Sequence, residues 1–208
     1  KPNGSTALND SIIMGLSLEP KTSRRAIVLF TDGKDANNND TGPGSKATGD
    51  EMLAKTASST VPVFSIGYGQ APDEVTLSRI SSSTGGAYYP ADEKSIDEVF
   101  AKISSILSQE LEIDYSRPEV KGMGDSPAIS IVIDTSGSME TAPKECKECG
   151  YKMQKAKDLV RNFILGLPPE IPVQLAGFSS DIYVTQIMTT DRQALLRGVS
   201  ELSSGGGT

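Results

Sequence analysis

The chain has 208 residues, 37% hydrophobic and 23% charged, which excludes a disordered or fibrous protein and suffices for one α/β domain with a sizeable buried core. A formal charge of −7 argues against nucleic acid or an anionic membrane surface as a main partner, and no apolar stretch approaches the roughly 20 residues that span a bilayer. Histidine is absent, which excludes histidine acid–base chemistry, serine triads built on histidine and the commonest zinc and iron ligand sets.

In chain order, Leu8, Ile12, Ile13 and Leu16 recur at helical spacing, and Pro20 stops that first helix. A strand follows at Arg25–Thr31. The polar stretch Lys34–Ser45, rich in Asn, Asp, Gly and Pro, predicts a surface loop. A helix over about Lys46–Ser59 leads to a strand at Val61–Gly67. Another helix near Asp73–Ser83 precedes Gly85-Gly86-Ala87-Tyr88-Tyr89, an expected edge strand after a turn. Ser95 with Glu98 reads as a capping box, opening a helix to about Gln109 with Ile96, Val99, Phe100, Ile103 and Leu107 in one apolar stripe. Residues 111–128 lack periodicity and hold Pro118, Gly122, Gly124 and Pro127, the pattern of a connector. Beyond it come a strand at Ile129–Ile133 and a helix from about Tyr151 to Leu165. Two strands, Val173–Phe178 and Ile182–Ile187, then flank a tight Ser179-Ser180-Asp181 turn. Thr190 with Gln193 suggests a second capping box for a last helix that fades into Ser203-Ser204-Gly205-Gly206-Gly207-Thr208. Apolar runs alternating with helical patterns predict an α/β fold, a doubly wound, mostly parallel central sheet flanked by helices.

Two of these strands end in aspartate. Ile129-Ser130-Ile131-Val132-Ile133 runs into Asp134-Thr135-Ser136-Gly137-Ser138, and Ile27-Val28-Leu29-Phe30-Thr31 runs into Asp32-Gly33. Doubly wound sheets bind ligands outside the carboxyl ends of their strands. Asp134, Ser136, Ser138 and Asp32, with Thr6 from Gly4-Ser5-Thr6-Ala7-Leu8, are hard oxygen donors that suit Mg2+, or Mn2+ and Ca2+, over zinc or copper. Two carboxylates and three hydroxyls neutralise a divalent ion but donate weakly, so an exchangeable position should remain for a carboxylate of a partner protein. Thr208 also ends a glycine-rich stretch and rivals Thr6, which is preferred because Ala7-Leu8 immediately begins a helical pattern. The plainer alternative is that the aspartates close turns while the serines cap the following segment.

The D-x-S-x-S run, with a threonine and T-D-G elsewhere, resembles the metal-ion-dependent adhesion site of von Willebrand factor type A domains. Val63-Phe64-Ser65-Ile66-Gly67-Tyr68-Gly69 and Thr84-Gly85-Gly86-Ala87-Tyr88-Tyr89 are similar to later strands of bacterial members. In that family the D-x-S-x-S strand comes first, whereas here it follows T-D-G. The resemblance therefore implies a single Rossmann-like domain, 1–208, in circularly permuted order. Residues 129–208 followed by 1–110 restore the family order, and 111–128 bridge the family's usual termini. It also implies an adhesion-type protein-binding module, not an enzyme, extracellular or at the cell surface, that grips an acidic side chain through the bound cation. A monomer or a domain-swapped dimer is expected.

Two enzymatic alternatives remain. Cys146-Lys147-Glu148-Cys149 places a C-x-x-C near a helix start, which suits thiol–disulfide exchange as well as a local disulfide or a pair of free thiols. A metal-dependent hydrolase at the same carboxylates would need a positive clamp or a second metal, and no lysine or glycine-rich phosphate loop adjoins Asp134 in the chain. Lys34–Asp40 mimics the opening of a calcium loop, but Asp40 replaces the required glycine and Lys46 the glutamate, so a solvated loop is expected.

Overall fold

Strands buried on both faces carry continuous apolar runs instead of an alternating pattern. RAIVLFT at Arg25–Thr31 and AISIVID at Ala128–Asp134 are such runs, buried at every position. The computed structural model describes residues 5–17, 25–37, 39–69, 72–115, 127–140 and 151–204. In chain order these form α1 (Leu8–Ser17), β1 (Arg25–Thr31), α2 (Gly49–Ala57), β2 (Val63–Tyr68), α3 (Glu74–Ser83), β3 (Tyr88–Ala91) and α4 (Ile96–Tyr115). They continue as β4 (Ala128–Asp134), a 3-10 turn at Gly137–Glu140, α5 (Lys152–Gly166), β5 (Val173–Phe178), β6 (Ile182–Thr189) and α6 (Arg192–Glu201).

The strands make one sheet in the order β3-β2-β1-β4-β5-β6. All neighbours run parallel except β5 and β6, which are antiparallel through the expected Ser179–Asp181 turn. At the centre Phe30 stands opposite Ile66 on one side and Ile133 on the other. One sheet face packs Val28, Phe30, Ile131 and Ile133 under α4, α5 and α6. The other packs Ile27, Leu29, Val132 and Phe178 under α1, α2 and α3. Phe100 of α4 links the sheet to α5, its ring 6.2 Å from Phe30 and 6.1 Å from Phe163 in an edge contact. This is the doubly wound, mostly parallel α/β architecture that the alternation of patterns predicts.

The differences lie at helix ends and at strand limits, where β2 starts at Val63, β3 spans Tyr88–Ala91 instead of Gly85–Tyr89, and β6 runs on to Thr189. Asp191, not Thr190, caps α6, because its carboxylate accepts from the amides of both Gln193 and Ala194 at 2.9 and 3.1 Å. A carboxylate reaches two orphan donors and also suits the positive end of the helix dipole. Ahead of α4, Ser95 turns back to Asp92, donating its hydroxyl at 2.7 Å while its amide donates to the same carboxylate at 2.9 Å. These bonds hold the Asp92 carboxyl below its ordinary value. A reciprocal Thr48–Glu51 capping box starts α2 at Gly49 rather than Lys46. Helix α4 continues through Tyr115, past Gln109 and into the expected connector, and Ala128 already belongs to β4. Residues 116–126 and Pro20 lie outside the described residues.

Candidate metal centre

From β1 the chain winds outward through β2 and β3, and from β4 through β5 and β6. The neighbours β1 and β4 thus form the switch point, where carboxyl ends open a crevice. Asp134 is the last residue of β4, and Asp32 directly follows β1.

Asp134 is fully buried. Its Oδ2 accepts from the Thr31 hydroxyl at 2.6 Å and its Oδ1 from the Ser136 amide at 2.8 Å. Thr135 donates both its amide and its hydroxyl to the Phe178 carbonyl, at 2.7 and 2.9 Å, fastening this loop to β5. The Ser136 and Ser138 hydroxyls lie 3.0 Å apart, and Ser138 donates to Asp32 Oδ1 at 2.7 Å. An unbroken series of polar contacts therefore runs from Thr31 through Asp134, Ser136 and Ser138 to Asp32. The Ser136 amide and the Ser138 hydroxyl are directed to the two aspartates, and Ser136 immediately precedes a 3-10 turn at Gly137–Glu140.

Thr6 comes to the same crevice from the far end of the chain. It pairs with Ala36 through two backbone bonds of 2.8 and 3.1 Å, and next to it Ala7 donates to the Ser179 carbonyl at 2.7 Å. The Ser5 hydroxyl adds a bond to Ser180 at 2.7 Å. Thr6 Oγ1 lies 3.7 Å from where a side chain on Gly33 would begin, which sets it beside the residue after Asp32. Among the described residues this hydroxyl has no hydrogen-bond partner. Thr208, its rival, lies outside the described residues, as do Cys146 and Cys149.

The loop from Lys34 to Ser45 is more firmly held than its polar composition predicts. Asp35 accepts from the amides of Asn9, Gly44 and Ser45 and from the Ser45 hydroxyl, and Asp10 accepts from the amides of Lys46 and Ala47. These bonds sew both ends of the loop to the start of α1, directly behind Thr6. Asp35 closes this turn, and the calcium-loop likeness carries no further. Gly44 is required there, since a side chain would begin 2.4 Å from the Thr6 carbonyl oxygen. Beside Thr6, a shallow cavity of about 210 Å³ is lined by Ala7, Asp10, Met14, Lys46, Ser180, Asp181 and Ile182.

No lysine adjoins Asp134 in the chain, but the fold brings one from α5 to Asp32. Lys152 Nζ lies 2.5 Å from Asp32 Oδ2, with its side chain 16% exposed and that of Asp32 fully covered. Thr31 is the other site residue that motif reading passed over, although it is the threonine of T-D-G itself. Lys152 left a weaker trace, because the first turn of α5 has lysines and no acidic residue.

Electrostatically, the Asp134 carboxyl is pushed up to about 7. Burial is the main cause and the Asp32 charge the second, against the bonds from Thr31 and Ser136. Such a group lacks a counter-charge. The donors are all oxygen and lie on three loops, and this set fits a hard divalent ion, with Asp134, Ser136, Ser138, Asp32 and Thr6 as the residues to hold it. Among the described residues no group of three or more His, Cys, Asp or Glu gathers in one place, so the hydroxyls are indispensable to such a site.

The von Willebrand factor type A domain family matches the chain twice, over residues 2–90 and over residues 129–208. The order of the two matches is consistent with a permuted arrangement. No curated protein matches. Among solved structures the chain is similar to the crystal structure of an uncharacterized protein from Alicyclobacillus acidocaldarius subsp. acidocaldarius DSM 446. The identity is 18%, the coverage 89% of this chain and 87% of that one, and the TM-score 0.51; at this identity the likeness concerns the fold alone.

Proposed function

Given that the chain belongs to the von Willebrand factor type A domain family, whose members are often metal-dependent protein-interaction modules, we propose that it is a divalent-cation-dependent protein-binding module of the adhesion type. Asp134, Ser136, Ser138, Asp32 and Thr6 hold Mg2+, or Mn2+ or Ca2+ in its place. The open position of that ion receives a carboxylate of a partner protein. The observation that carries this reading is the buried Asp134 carboxyl, displaced to about 7 and joined through Ser136 and Ser138 to Asp32. A divalent ion would supply the missing counter-charge, and weak hydroxyl donors would leave it electrophilic toward a further carboxylate.

The domain is read as circularly permuted, with 129–208 followed by 1–110 in family order, and as non-enzymatic. Placement at the cell surface follows from the adhesion role. Titration calorimetry with Mg2+ on the wild type and on Asp134→Ala tests the cation site. The wild type should bind one ion per chain, and the variant should lose measurable binding; equal heats from both would end this reading.

A further inference from the structure

We infer that Lys152 is a built-in occupant of the cation site: its ammonium holds Asp32 until a divalent ion displaces it, so this residue sets the cation concentration at which the module switches on. The inference rests on the metal-binding reading above and concerns how that same site is regulated.

The first turn of α5 holds Lys152 and Lys155, no acidic residue, and at its N-cap Tyr151 with no side-chain capping bond. Lysine at the first position of a helix is opposed by the helix dipole, whose positive end lies there. Both lysines reach outward to carboxylates, Lys152 to Asp32 at 2.5 Å and Lys155 to Asp97 at 2.8 Å. The two pairs differ in kind. The Asp97 side chain is 62% exposed and its pair is a surface contact, whereas that of Asp32 is fully covered. Both oxygens of Asp32 are thereby engaged, Oδ1 by Ser138 and Oδ2 by Lys152.

Formal charge shows the competition. Asp32 and Asp134 bring two negative charges, and Lys152 returns one. A divalent ion entering while the ammonium stays makes the centre net positive, and the ion and the ammonium must then share Asp32. With the ammonium gone the centre is neutral. The lysine stem is flexible, and the neighbouring Tyr151 is 64% exposed, so a solvated position lies one residue away.

The test is Mg2+ titration calorimetry on the full chain as wild type, Lys152→Gln and Lys152→Arg, with circular dichroism confirming folding. Lys152→Gln should bind Mg2+ about five- to tenfold more tightly, the size of a partly buried ion pair removed from competition, while Lys152→Arg stays near the wild type. Amine-reactive labelling read by mass spectrometry adds a signal that a merely structural lysine would not give. Saturating Mg2+ should raise modification of Lys152 and leave Lys155 unchanged. Equal or weaker binding by Lys152→Gln, or labelling indifferent to Mg2+, overturns the inference while leaving the cation site intact. Failure of the folded wild type and both variants to bind would instead sink the metal reading, and this inference with it.

Discussion

Asp134 is the residue at which the proposed cation site would couple to protons. Its carboxyl lies at about 7 in the folded protein, above its ordinary 3.8, so between those values the folded chain keeps a proton that the unfolded chain releases. The contribution of this group to stability is therefore present at low pH and is lost as pH rises through that window. A cation needs the carboxylate form and competes with the proton. The rise in melting temperature caused by saturating Mg2+ should accordingly be small near pH about 5.5 and largest near pH about 8. Differential scanning fluorimetry at both values checks this, and an equal shift at each would detach Asp134 from the ion. Thr31 belongs to the same balance, because its hydroxyl favours the ionised form and offsets part of the burial.

Elements carry the positioning. Thr6 reaches the crevice because α1 and the loop after β1 are tied together through Asp35, which accepts from Asn9, Gly44 and Ser45. Asp35→Ala removes no donor from the candidate site but frees several amides and slackens the strip that pairs Thr6 with Ala36. It should cost about 2 kcal/mol of stability, as loss of a multiply bonded acceptor does. Mg2+ affinity should weaken with it, through positioning alone. Chemical denaturation measures the first effect and calorimetry the second; a variant as stable and as tight-binding as the wild type would show that this loop positions nothing. Helix α5 has a similar task on the other sheet face, where its apolar side, from Met153 to Ile164, seats Lys152 at Asp32 and Lys155 at Asp97.

At the scale of the whole molecule, chain order and spatial order part company. β1 and β4 pair from Arg25–Ala128 to Phe30–Ile133 although one chain segment precedes the other by about a hundred residues, as the Thr31–Asp134 separation of 103 shows. If the order is a permutation, a chain running from Pro127 to Thr208 and on from Lys1 through Tyr115 should fold to the same sheet. It should show the same far-ultraviolet spectrum and the same Mg2+-dependent rise in melting temperature; a reordered chain that stays unfolded would refute the permuted reading. How much of this was legible in the sequence depended on range. Strand β1 and helix α5 could be read almost to the residue, because period and burial are local properties of the apolar pattern. The cap at Asp191 and the Asp92–Ser95 turn ahead of α4 could not, since several nearby polar side chains compete for the same amides and only geometry selects one. By itself the sequence determined the element types and singled out Asp134, Ser136, Ser138, Asp32 and Thr6 as hard-oxygen candidates for one site. Only the tertiary structure decided that Asp32 and Asp134 adjoin, that Asp134 titrates near neutrality and that Lys152, 120 positions from Asp32, sits upon it. Those outcomes follow from which strands pair and how deeply they are buried, and no local spacing encodes either.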